Sequence, residues 1–193
     1  MTPEGMIRSG MTKIQKAILT EAWADEGKKE VKGNQGWEDP DFQIQMEATG
    51  WELGQSWCAY FAEKVWTNAF RGVKPEMVKL LTRLFSANAV ATYRNFEQSK
   101  FKTSEEAIPG AVVIWEKMRN GEPVYLTPDK AWVAGHAGIV THHDYEGGFQ
   151  TLEGNSNSSG GREGIEVAKL IRKYDFEANH GLRLVGFIQP FVA

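Results

Sequence analysis

Pro109-Gly110-Ala111-Val112-Val113-Ile114-Trp115 is the stretch at which this chain changes character. From here on, β-branched and aromatic residues come in short runs separated by turn residues. The runs are Ala111 to Glu116, His136 to His142, Phe149 to Glu153, Ile165 to Ile171 and Leu182 to Pro190. They predict strands, because such side chains pack well on a pleated surface. Upstream the period is different. Between Thr12 and Asp25, residues Ile14, Ala17, Ile18, Ala22 and Trp23 recur at helical spacing, with Thr12 placed to cap the first turn and Gly27 to end the last. A second helix is expected to start near Ser56, and helical patterns follow from Pro75 to Phe85 and from Asn88 to Gln98, Pro75 suiting a first helical position. Glu30 to Gly54, with scattered Gly, Asp and Pro, reads as an irregular approach, and Gly154 to Gly161 as a flexible loop. Helices followed by a run of strands predict an α+β domain, N-terminal helices packed on an antiparallel β-sheet, and not alternating βαβ units.

With 193 residues, 41% of them hydrophobic and 24% charged, the chain suffices for one sizeable core. A single domain is expected, with residues 1–11 as an N-terminal tail, and a monomer. The net charge of −3 excludes strong general attraction to nucleic acid or anionic lipid, which needs clustered Lys and Arg. No apolar run approaches the roughly 20 residues of a membrane helix. Met1-Thr2-Pro3-Glu4-Gly5 is not the opening of a secretory signal, so synthesis in the cytoplasm without a signal peptide is expected. Cys58 is the only cysteine, which rules out an intrachain disulfide and a four-cysteine metal site. Neither metal nor cofactor is expected.

In Gly54-Gln55-Ser56-Trp57-Cys58-Ala59-Tyr60-Phe61, a glycine and a good capping residue precede the cysteine, placing Cys58 in the first turn of its helix. Unpaired amides and the helix dipole there favour a thiolate and pull the thiol below its usual pKa of about 8.5. Cys58, Phe61, Ala62, Val65 and Ala69 also share one apolar face, as a core cysteine would. The two readings agree if the helix body is buried and only its first turn is open. A thiolate needs a base or cationic partner, and His136, in Gly135-His136-Ala137-Gly138-Ile139-Val140, is the best of four histidines. Small residues flank it, leaving room for substrate and for the cysteine helix. His142, His143 and His180 read as surface residues. A third group must fix the imidazole tautomer. The next strand ends in Thr151-Leu152-Glu153-Gly154-Asn155, and a turn around Asp144 to Gly148 would bring it beside His136. Period-two geometry puts Glu153 and Asn155 on one face, and either can orient His136. The Cys58 amide supplies one donor for an oxyanion and Gln55 a candidate second.

These residues resemble the CHAP family, the cysteine, histidine-dependent amidohydrolases/peptidases, within the broader NlpC/P60-like, papain-like group. The matching pieces are Gly54 to Ala59 with Phe61, Pro109 to Trp115, Gly135 to Val140, and Glu153-Gly154-Asn155-Ser156-Asn157, in that order. The resemblance implies a papain-like fold, Cys58 as nucleophile, His136 as base, Glu153 as orienting acid, Asn155 as an additional polar group, and bacterial peptidoglycan as substrate. The bond would be the N-acetylmuramoyl-L-alanine amide or a peptide bond of the stem or cross-bridge. Some relatives bind calcium, but Glu38-Asp39-Pro40-Asp41 lacks the ligand spacing of a calcium loop and reads as a solvated turn. Such an enzyme would act in the periplasm or cell wall, as a phage endolysin released through a holin or an effector injected by secretion machinery. Two rivals are an acyltransferase or deamidase on the same scaffold, and a non-catalytic wall-binding protein with Trp37, Trp51 and Trp57 lining a glycan groove.

Overall fold

The computed structural model describes residues 10–157 and 164–192. Helix α1 (Lys13–Ala24) begins at a reciprocal cap: the Thr12 side chain accepts from the Gln15 amide, and the Gln15 side chain accepts from the Thr12 amide. Of the residues the spacing selected, Ile14, Ile18 and Ala22 are buried and Ala17 and Trp23 half-buried, while Gln15 and Leu19 are buried beside them. Helix α2 (Pro40–Glu47) lies in the stretch expected to be irregular. Asp39 caps it by accepting from the Asp41 and Phe42 amides, Pro40 opens its first turn, and only Phe42 and Met46 are buried. Asp and Pro mark helix starts as well as turns, and two apolar residues are too few to show a period. Helix α3 (Cys58–Val73) follows, then a 3-10 turn (Pro75–Met77), α4 (Val78–Leu84) and α5 (Ala89–Glu97), which Asn88 caps through the Ala91 amide.

The strands are β1 (Phe101–Ser104), β2 (Val112–Arg119), β3 (Glu122–Pro123), β4 (Gly135–Tyr145), β5 (Gly148–Ser156), β6 (Glu166–Arg172) and β7 (Gly181–Val192). Among the described residues they form one antiparallel sheet of order β1-β7-β2-β4-β5-β6, with β3 on β2. β1 and β3 were not expected. β1 buries Phe101 alone and β3 is two residues long, so neither shows an alternating pattern. Of the loop expected from Gly154 to Gly161, residues 154–156 belong to β5, while residues 158–161 lie outside the described residues, as do residues 1–9 of the expected tail.

Both faces of the sheet are covered, which is why its central strands read as continuous apolar runs. Val112, Ile114, Ala137, Ile139 and Leu152 meet Phe61, Ala62, Val65 and Trp66 of α3. Trp66 holds Phe70, Phe85, Phe96 and Phe101 at centroid distances of 5.6 to 5.9 Å, fastening α3, α5 and β1 together. Each such buried ring stabilises the fold by roughly 2 to 3 kcal/mol. On the opposite face Val113, Trp115, Val140, Phe149, Leu184 and Phe187 make a second, smaller core. α3 reaches the sheet closely because Gly154 has no side chain: a Cβ there would stand 2.6 Å from the Trp57 ring and 2.7 Å from Phe61.

Candidate active site

Cys58 is the first residue of α3, and its thiol is buried. The helix begins one residue later than a Ser56 cap would have it: Trp57 is the N-cap and makes no side-chain cap bond. Trp57 is fixed by the core instead. Its indole N–H donates to the buried Glu30 carboxylate, and its ring packs edge-on against Trp37 at 5.2 Å. The first-turn amides therefore stay available to the thiol, and Sγ accepts from the amides of Ala59 and, across on β4, Ala137.

His136, the second residue of β4, lies opposite Trp115 of β2, and the two rings stack at 5.8 Å. Alternation places it on the sheet face turned away from α3, with Val140 and the smaller core. There its Nε2 lies 2.8 Å from Glu153 Oε2 on β5. A carboxylate can only accept, so Nε2 carries the proton and Nδ1 is left to the hydrogen bond shared with Cys58. Gly138 makes the Glu153 contact possible, since a Cβ at that position would come within 2.7 Å of Glu153 Cγ. The room beside the imidazole thus serves Glu153, and the close approach of the cysteine helix falls on Gly154.

Glu153 is fully buried and saturated with donors. Thr151 Oγ1 donates at 2.6 Å, and Arg172 of β6 grips both oxygens, Nε to Oε1 at 2.8 Å and the second arm to Oε2. The guanidinium also lies over Trp115, 5.3 Å from its centroid. Arg172 and Trp115 have no place in the sequence reading of the site. Arg172 stands one residue beyond the expected strand end, and only the pairing of Phe149 with Arg172 across β5 and β6 brings it onto the Glu153 face.

The charges follow. Burial alone would push the Cys58 thiol up, but the charge and hydrogen bond of His136 and the two amides outweigh it and hold the thiol below its ordinary value. Burial would lower His136, yet the thiolate and Glu153 raise it to about 10. Burial would raise Glu153, yet Arg172 and His136 bring it down to about 2. Thiolate, imidazolium, carboxylate and guanidinium make a chain of alternating sign with no net charge, the arrangement under which buried ions are tolerated.

Asn155 lines the cleft beside Cys58 and His136, but not through simple alternation. The register steps from Glu153 opposite Ala168 to Ser156 opposite Glu166, so β5 carries one extra residue, and Asn155 sits in it with φ +53°. The bulge turns Asn155 into the cleft while Glu153 faces the smaller core. Gln55 is not brought into the cleft: its side-chain oxygen accepts from the Tyr60 hydroxyl at 2.7 Å and the Glu52 amide, and Ser56 lines the cleft there. The cleft encloses about 610 Å³. Its lining includes Asn88 at the start of α5, Leu126 and Leu182.

The groove of the wall-binding rival is not formed, and two other expectations are revised. Trp37, Trp51 and Trp57 line no groove: all are buried in one aromatic cluster, Trp37 touching Trp51 at 4.6 Å. Asp39 is not in a solvated turn, since it caps α2 and pairs with Lys28. His142 is buried beside Tyr145, whereas His143 is exposed and His180 bonds Asn120 at the surface. Among the described residues, no helix is long and apolar enough to cross a membrane.

An antiparallel sheet carrying His136, with Cys58 at the N-terminus of a helix packed against it, defines the papain-like α+β class. The CHAP domain family matches residues 49–155, more than half of the chain, with Cys58, His136, Glu153 and Asn155 inside the match and Arg172 outside it, and the protein belongs to that family. CHAP domains are amidase- or peptidase-type hydrolases of peptidoglycan. No curated protein and no solved structure matches the chain.

Proposed function

We propose that Cys58 and His136 cleave an amide bond of peptidoglycan, the N-acetylmuramoyl-L-alanine amide or a peptide bond of the stem or cross-bridge, through a thioester intermediate. The observation that carries this reading is the continuous chain Cys58, His136, Glu153, Arg172, closed at one end by the cleft and at the other by a bidentate ion pair.

The Cys58 thiolate attacks the amide carbonyl, forming the S–C bond, and the electron pair moves onto the oxygen. As first residue of α3, Cys58 offers a backbone amide without an intrahelical partner, which holds that oxyanion. Collapse breaks the C–N bond, and His136 gives its proton to the leaving amine. Water then attacks the thioester, His136 takes its proton, and the thiolate leaves. Glu153 holds the imidazole so that one nitrogen always faces Cys58, and Asn155 adds a polar contact at the cleft. No step draws on a cofactor. In its setting the enzyme reaches the wall as an endolysin released through a holin or as an effector delivered by a secretion machine.

The test is release of new amino groups and new reducing ends from purified peptidoglycan by the wild type, Cys58→Ala and His136→Ala. New amines without reducing ends, lost in both variants, are expected. Equal release by Cys58→Ala, or release of reducing ends, overturns the reading.

A further inference from the structure

We propose that the hairpin between β2 and β4 is a saccharide platform on which Trp132 and Leu126 stack the glycan joined to the peptide being cut. This inference rests on the peptidoglycan reading above. Between β3 and β4 the chain continues as a narrow antiparallel ladder. The Leu126 amide donates to the Trp132 carbonyl and the Ala134 amide to the Val124 carbonyl, both at 2.7 Å, with Tyr125 bridging Val133. Leu126 and Trp132 are therefore directly opposite one another and share a face, and Ala134, two residues along, shares it too. Leu126 and Ala134 line the catalytic cleft. Trp132 thus stands on the cleft side of the hairpin as the outward continuation of its wall, while Tyr125 and Val133 point to the other side.

That wall is apolar and open. Leu126 is 63% and Trp132 43% exposed, whereas Trp37, Trp51, Trp57, Trp66 and Trp115 are all buried. Two large apolar side chains side by side at the mouth of a cleft mark a contact surface. With the scissile amide at Cys58, what reaches the rim is a part of the substrate joined to the cut bond, either peptide or glycan. Stem peptides carry small methyl groups, carboxylates and one narrow diamino-acid side chain, none of which presents a flat, ring-sized face to leucine and indole. A pyranose ring presents a flat face of C–H groups, and an indole presents a broad face of negative potential to meet it. The chemistry of the rim therefore selects the glycan strand.

Binding of a peptide-free GlcNAc–MurNAc tetrasaccharide, which an amide hydrolase leaves intact, is to be measured by NMR titration of the full chain. Wild type is expected to bind, Trp132→Ala about tenfold more weakly and Leu126→Ala less affected, with Trp132→Phe retaining most of the affinity. In a Cys58→Ala background, Trp132→Ala is expected to leave binding of a sugar-free stem peptide unchanged, which a collapse of the hairpin or the cleft would not do. No binding by wild type, equal binding by Trp132→Ala, or parallel loss of glycan and stem peptide overturns the inference. Amine release from peptidoglycan is scored separately. Hydrolysis with Trp132-independent glycan binding sinks the platform alone, and Trp132-dependent glycan binding without hydrolysis sinks the hydrolase reading alone.

Discussion

Glu153 holds a full negative charge out of contact with water, so its surroundings set both its ionisation and its use. Its folded value of about 2 lies below the ordinary 4.5. The stabilisation it brings is therefore complete above about pH 4.5 and lost as pH falls through about 2. Glu153→Gln is expected to flatten stability against pH in that acid window, as read by denaturant titration. It is also expected to lower kcat by roughly two to four orders of magnitude, because a neutral amide no longer enforces the tautomer that leaves Nδ1 to Cys58. His136 behaves with the opposite sign. Raised to about 10, it keeps the imidazolium below that value, and kcat/KM is expected to fall as pH rises through about 10. In Glu153→Gln that fall should come at lower pH, since a partner that raises His136 is gone. Arg172→Met leaves the buried Glu153 charge with only His136 and Thr151 as partners, and is expected to cost about 3 kcal/mol, measured by thermal or denaturant unfolding. Arg172→Lys keeps the charge without the fork and should recover part of that loss.

The contact between β5 and the start of α3 sets where the thiol sits. At Gly154 the β5 backbone touches Trp57 and Phe61, so Gly154→Ala must lift the start of α3 away from the sheet. The expected outcome is a loss of about 1 to 3 kcal/mol in unfolding free energy together with slower alkylation of Cys58, because Ala137 and His136 lose their hold on Sγ. The α1 cap provides the contrast. Thr12→Ala removes the reciprocal cap with Gln15 and is expected to cost about 1 kcal/mol while leaving Cys58 alkylation unchanged, since α1 supports α3 from behind and touches no reacting group.

Across the whole molecule, the groups of the proposed site straddle the sheet. Cys58 comes from the helical face, while His136, Glu153 and Arg172 lie on the other, so both cores must be in place before the site exists. The helical layer is tied by a buried ion pair, Lys64 of α3 with Asp25 at the end of α1, and Lys64 also lies 5.6 Å from the Phe42 ring centroid of α2. Asp25→Ala strands the lysine and is expected to cost about 3 to 5 kcal/mol, whereas the double change Asp25→Leu with Lys64→Met should be close to neutral. Calorimetric unfolding of the two variants separates these outcomes.

Local pattern carried the sequence reading a long way. The change of period at Pro109, the Thr12 cap and the apolar face of α3 were legible because each depends on residues a few positions apart. So were the place of Cys58 in the first turn of its helix and that of His136 near the start of a strand, each set by its neighbours in sequence. The α2 helix, β1, the N-cap at Trp57 and the bulge at Asn155 were not, because each is imposed by packing or by register with a distant strand. The sequence by itself determined the α+β class and singled out Cys58, His136 and two candidate partners for the imidazole, Glu153 and Asn155. Only the tertiary structure decided between those candidates: β5 faces Glu153 to His136 and turns Asn155 to the cleft, and β6 delivers Arg172 to hold the carboxylate charged. That choice belongs to strand pairing, since an ion chain across four elements exists only where their register puts opposite charges in contact.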